Sequence, residues 1–324
     1  MKYIRPYIYI VSVLLISCSD SSRETSAAKL SKIQSVQALE IVTLVTADEG
    51  NFYYPRFTQD GSKVVFTTAN HAGLYYYDLK THEVLQLNSI PGAGVNFVNS
   101  VYDSKIFFTS DTLINRRRFH NLYVQSIETK KITKLNNDPL RYLSDLNEVS
   151  ANTIVFYAEN EFQPVSLRGG KSTPDSFSGY FFHIQNDKIF ITRDGNQKIV
   201  TPFPNRNLIW LEDIPASTDV LVYAAGIGLY RYDPVKNTSK LLGDFRAAKC
   251  SPDGKLIAYI RDEDNGLRTT RSDIYVAILD DLKSFMITDS EDVHEMYPQW
   301  SPDGQKIVFH DEKGQIYMTK LQIK

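Results

Sequence analysis

The 324-residue chain is short of several things that usually announce a function. It has two cysteines, Cys18 and Cys250, so no framework of several disulfides holds it together. Its formal charge is −2, with 36 Lys and Arg against 38 Asp and Glu, which removes the strong basic footprint of a nucleic-acid binder. After residue 18 no apolar run is long enough to cross a bilayer. No Gly-x-Ser-x-Gly elbow occurs, so a serine hydrolase of the nucleophile-elbow type is not expected. Gly169-Gly170-Lys171-Ser172-Thr173 ends like a phosphate loop, but Val165 stands where the earlier glycine is required. Asp262-Glu263-Asp264-Asn265-Gly266 is one residue short of a calcium loop, and Asp273 stands where no bidentate Glu follows.

What the chain has is a repeated phrase. Tyr54-Pro55-Arg56-Phe57-Thr58-Gln59-Asp60-Gly61 returns as Tyr297-Pro298-Gln299-Trp300-Ser301-Pro302-Asp303-Gly304, with a partial copy at Cys250-Ser251-Pro252-Asp253-Gly254. Each copy runs into an apolar strand beginning at Lys63, Leu256 or Lys306. Proline sets the first turn position, Asp bonds nearby backbone and Gly takes the left-handed conformation, so the phrase reads as a hairpin turn. The recurring Asp is a turn residue on this reading and no catalyst.

Fainter copies lie at Asp103, Asn152 and Asp219, giving turn positions 60, 103, 152, 219, 253 and 303. Self-similarity at this period signals a repeat fold. Third strands are expected at Gly73 to Asp78, Asn121 to Val124, Gly228 to Asp233, Asp273 to Val276 and Gln315 to Met318, with a fourth strand after most of them. The expected fold is therefore all-β, a six-bladed β-propeller of four-stranded antiparallel blades. The last unit lacks its own fourth strand, and the segment from Leu39 to Val45 is expected to supply it and close the ring. The third unit is long, 67 residues to the next turn, with an inserted loop expected at 159–179. Strands within it fit 180–185, 188–193 or both, and a seventh irregular blade remains an alternative.

These residues resemble the TolB-type, or PD-repeat, propellers related to WD-repeat proteins, over about 40–324. The α/β domain that precedes the propeller in TolB has no expected counterpart in the roughly 20 residues available. No functional residue of TolB is carried over.

The first 18 residues carry Lys2 and Arg5, an apolar stretch from Tyr7 to Ile16, and then Leu15-Ile16-Ser17-Cys18. This resembles a bacterial lipoprotein signal, which implies cleavage before Cys18 and acylation of that residue. Several acyl chains hold a protein stably where one does not. The expected layout is a signal peptide over 1–17, lipidated Cys18 with a Ser-rich tether to 38, and a propeller over 39–324. Ser19 in the second mature position points, by the same resemblance, to the outer membrane.

Propellers gather the fourth-to-first and second-to-third strand connections on one face. Here that face is expected to bring together His71, Arg116, Arg117, Arg118, His120, His294, Glu295 and His310 as candidate binding residues. Cys250 is expected to pack at a strand end. The function expected is a non-catalytic binding or scaffolding module, lipid-anchored in the bacterial envelope, with an envelope protein or a glycan as partner, no nucleic acid and no cofactor. The alternative is a metal-assisted oligosaccharide lyase or hydrolase using the His and carboxylates of the loop face.

Overall fold

The computed structural model describes residues 33–167, 180–194, 196–203, 205–267, 269–291 and 293–324. Cys18, the tether up to residue 32, and the Gly169 to Thr173 segment lie outside them. The described residues form seven antiparallel sheets, in six of which each strand is bonded to the next in sequence, while in the seventh the first strand of the chain pairs with the last. In chain order blade 1 spans 52–88, blade 2 97–134, blade 3 144–166, blade 4 180–200, blade 5 208–243, blade 6 246–286 and blade 7 295–323. Five blades have four strands, while blades 3 and 4 have three.

The expected six-blade count is thus corrected to seven. The long third unit is two blades, because the strands at Tyr180–Gln185 and Lys188–Arg193 both form and pair with a third at Asn196–Val200. Their hairpin turns on Asn186 and Asp187, both left-handed at φ 51° and 59°. That two-residue turn suits the twist of paired strands without the Pro-Asp-Gly phrase, so the blade carries no copy of the repeat signature.

In the three clear copies the Asp does what turn chemistry asks. Ser251 Oγ donates to Asp253 Oδ1 at 2.6 Å and Ser301 Oγ to Asp303 Oδ1 at 2.5 Å, while the backbone N–H of Gln305 also donates to Asp303. The Ser301 hydroxyl holds the Asp303 carboxyl below its ordinary range. Gly254 turns at φ 70°, and a Cβ there would stand 2.6 Å from the carbonyl oxygen of Pro215.

Burial follows the blade faces. Seven clusters of buried side chains fill the seven gaps between neighbouring blades, for example Phe107, Leu122, Ile154 and Phe156 between blades 2 and 3. Blades 3 and 4 meet through Val155, Tyr157, Phe162 and Phe181, and blades 4 and 5 through Phe182, Ile191, Val220 and Val222. A six-bladed ring would have no use for the last two as separate seams. Polar ties cross neighbouring innermost strands as well: Trp300 Nε1 donates to the Lys249 carbonyl at 2.9 Å, and Asn99 Nδ2 to that of Phe57 at 2.8 Å.

The ring closes where expected. Val36–Val45 pairs antiparallel with Ile316–Ile323, from Val36 opposite Ile323 to Val45 opposite Ile316. This strand joins two seams, Val36 packing with Leu321 and Trp300 and Leu44 and Val45 packing with Phe52 and Val308. Closure by the first strand removes the free edge of the last blade and ties both ends of the domain together.

Candidate functional site

The site begins with a repeated backbone defect. In blades 1, 3, 6 and 7 the innermost strand carries a β-bulge, and one residue in it is left-handed: Tyr54 (φ 58°), Asp145 (48°), Ala247 (48°) and Tyr297 (51°). A bulge bends the strand and re-aims the side chains on either side of it. Two positions further on stand Arg56, Asn147, Lys249 and Gln299. Proline at 55 and 298 costs the ladder nothing there, because the bulge has already broken the pairing.

The bulges open a cavity of about 820 Å³ at the loop end of the ring axis. It is lined by the innermost strands of blades 5, 6, 7 and 1, including Trp210, Lys249, Gln299 and Arg56, together with the second-to-third strand loops that hold His71 and Gly226. Another cavity of about 730 Å³ lies on the opposite, turn-bearing face between Pro252 and Pro302, bordered by Ile33, Leu39 and Leu321. It is the seam where the first strand docks, so the axial cavity is the stronger candidate for a ligand.

One wall of the axial cavity is aromatic. Tyr54 stacks on His71 with ring centres 5.5 Å apart and meets Tyr297 edge-on at 4.9 Å. His310 lies behind them, stacked on Tyr297 at 5.5 Å and edge-on to Tyr54 and Tyr53. Burial pushes the His310 imidazole down to about 4, so the ring is neutral at physiological pH. Its Nδ1 sits 2.9 Å from the Asp311 carbonyl, which only accepts, so Nδ1 carries the hydrogen and Nε2 is a buried acceptor with no partner among the described residues. Across the cavity Trp210 and Tyr223 stack nearly parallel, 6° apart at 5.5 Å.

The cationic groups are Arg56, Lys249 and Arg246, and among the described residues no Asp or Glu lines the cavity. Lys249 is paired with Glu212, and Arg246 with Asp262 at 2.9 Å and Asp244 at 3.4 Å. Arg56 donates from Nη1 to the Phe97 carbonyl at 2.7 Å and lies 4.8 Å over the Phe97 ring. Among the described residues it has no carboxylate partner. Burial lowers its pKa, the expected cost of a desolvated cation, and the charge of Glu212 opposes that.

Two long hairpins stand on the loop face, one on each side of blades 7 and 1. Blade 2 extends its middle strands through Lys105–Ile114 and Arg117–Ser126, and blade 6 through Leu256–Asp264 and Thr269–Ile278. The blade 2 arm turns on left-handed Asn115 and Arg116 and exposes Leu113. The blade 6 arm exposes Leu267 and carries Asp262, Glu263 and Asp264.

The eight residues expected on the loop face divide into three groups. His71 and His310 meet around Tyr54. Arg116, Arg117, Arg118 and His120 belong to the blade 2 arm, where Asp111 pairs with Arg118 at 3.2 Å and with His120 at 2.8 Å. His294 and Glu295 form the entry to blade 7. The backbone N–H of His294 donates to Glu312, and Glu295 is buried with its carbonyl bonded by the Ser272 hydroxyl. Burial pushes the Glu295 carboxyl up to about 7, with Asp273 adding to the effect. Among the described residues no cluster of three His, Cys, Asp or Glu side chains is arranged to hold a metal.

Reasoning from loops alone misses Tyr54, Tyr297, Trp210, Arg56 and Lys249, which lie on innermost strands. A signal for some of them was present. Tyr-Pro occurs in both full copies of the repeated phrase, and Arg56 and Gln299 share one position of it.

The architecture defines the chain as a seven-bladed β-propeller with an axial, aromatic and cationic cavity on its loop face. No family model matches it, and neither does any curated protein. Among solved structures it is similar to the tricorn protease at 16% identity and a TM-score of 0.41, covering 81% of this chain and only 28% of that one. An oligogalacturonate lyase in complex with manganese is 13% identical over 90% of this chain and 96% of that one, with a TM-score of 0.46. A chain of the mitotic checkpoint complex is 8% identical over 96% and 98%, with a TM-score of 0.51. At these identities the likeness is one of fold.

Proposed function

We propose that this chain is a TolB-like lipoprotein of a bacterial envelope, anchored through Cys18, whose propeller works as a non-catalytic binding module for an envelope protein or a glycan. The observation that carries this reading is the axial cavity, where aromatic rings and cationic groups from four blades converge and, among the described residues, no Asp or Glu is part of the lining. Concave sites of this size on a rigid frame are where ligands are usually held. His71 and His310 are engaged with tyrosine rings, and no observation favours a metal-assisted lyase.

The test is photo-cross-linking of the full lipidated protein in native membranes, with the probe at Tyr297, at Arg117 or, as a control, at Asp303 on the turn face. A defined partner captured from Tyr297 or Arg117 and absent from Asp303 is the expected result. Equal capture from all three positions, or none from any, refutes the reading.

A further inference from the structure

The lining of the axial cavity specifies its ligand more closely, on the footing of the binding role proposed above. We infer that the occupant is an extended segment of a protein partner bearing a carboxylate among apolar side chains, with the carboxylate received by Arg56. Three observations lead there.

First, the wall is aliphatic as well as aromatic. Val95, Ile209 and Tyr297 border the cavity yet remain 56%, 53% and 43% exposed, with Met296 and Leu211 beside them. Exposed apolar surface of this kind gains free energy when a partner removes it from water. A saccharide covers it poorly, because each hydroxyl removed from water needs a hydrogen-bonding group. The uncharged hydrogen-bonding side chains of the lining are Gln299, His71, Trp210 and the tyrosines, and among the described residues it has no Asp, Asn or Glu to accept from sugar hydroxyls.

Second, the cations are unequally satisfied. Lys249 and Arg246 already have carboxylates, and Arg56 is the one whose guanidinium has none among the described residues. A guanidinium held by one carbonyl and one ring keeps donors for a planar anion, which it binds in a two-pronged fashion that Lys does not reproduce.

Third, two aromatic pairs border the same cavity as that cation. Tyr54 with Tyr297 forms one, from blades 1 and 7, and Trp210 with Tyr223 the other, from blade 5, so apolar side chains flanking an acidic residue have rings to meet. Aromatic and arginine anchors at the centre of an interface are the groups that usually carry its energy.

The experiment is selection of a random twelve-residue phage-displayed peptide library on the immobilised full-length protein, followed by affinity measurement of the enriched peptides on the native protein and on Arg56→Gln, Arg56→Lys and Ile209→Asp. Hexagalacturonate serves as the acidic-saccharide probe. The expected result is enrichment of peptides with Asp or Glu between aliphatic or aromatic residues. Their binding should fall at least tenfold in Arg56→Gln and measurably in Arg56→Lys. Ile209→Asp places a like charge on an exposed position that folding does not use, and it should cost at least tenfold with an unchanged melting curve. Enriched peptides without acids, or affinities indifferent to Arg56, overturn the inference. So does Arg56-dependent binding of hexagalacturonate with no peptide enriched, although the binding role then stands. No enrichment together with continued capture by the Tyr297 cross-linker overturns the peptide inference alone, whereas loss of both overturns the binding role as well.

Discussion

The closing strand offers an internally controlled test of the ring. Leu39 and Leu44 lie five residues apart on it; Leu39 is 56% exposed, while Leu44 is 9% exposed and packs with Phe52, Phe66 and Val308 at the seam of blades 7 and 1. Truncating a buried leucine costs the transfer of its side chain plus the cavity left behind, about 2–5 kcal/mol, whereas an exposed one costs within ~0.5 kcal/mol. At roughly 2–4 °C per kcal/mol for a domain of this size, Leu44→Ala should lower the melting temperature by about 5–15 °C and Leu39→Ala by no more than ~2 °C. Deleting 39–46 also removes Val45 and the ladder to Ile316–Ile323, a loss comparable with the whole stability of about 5–15 kcal/mol, so that protein should not fold cooperatively. Circular dichroism melts check all three, and tryptophan fluorescence adds a local reporter because Trp300 packs beside Val36 at the other seam the strand closes. Equal shifts for the two leucines, or a cooperative melt after the deletion, would refute closure by the first strand.

Other outcomes follow from particular side chains. The Glu295 carboxyl is held near 7 by burial against an ordinary 4.5, so the folded protein keeps a proton that the unfolded chain releases. Its contribution is therefore complete below about pH 4.5 and is lost as the pH rises through about 7, with a ceiling on the order of 3 kcal/mol. Glu295→Gln should accordingly gain stability relative to the native protein between pH 5 and 8, as urea titrations at each pH would read; a constant difference contradicts the assignment. Burial raises the Cys250 thiol pKa, so Ellman's reagent should label it slowly in the folded protein and rapidly in urea, and fast labelling of the folded state would contradict this. Cys18→Ala should abolish incorporation of radiolabelled palmitate and release the protein from membranes. Labelling that persists in that variant would sink the lipoprotein proposal.

Local chemistry made much of this protein legible before any coordinates. The Ser-Pro-Asp-Gly turns need only their own four or five residues, so Asp253 and Asp303 bond where the phrase says they should. Closure was readable too, because the last blade lacks a fourth strand and an apolar strand precedes the first. The blade count was not. Blade 4 turns on Asn186-Asp187 and lacks the phrase, and short apolar strands beside a long insertion do not announce which sheet they join.

The loop face was legible as a face and not as a site. Arg118 and His120 are held by Asp111 of their own hairpin, and Glu295 is drawn into the gap between blades, outcomes set by cross-strand register and by packing of distant segments. The cavity belongs wholly to the tertiary structure. Tyr54 and Tyr297 are 243 residues apart, and Trp210 arrives from a third blade. The sequence by itself determined the turns, the strands and the closing of the ring, because those depend on neighbours along the chain. Which rings and charges share the axis was decided only when seven blades closed around it.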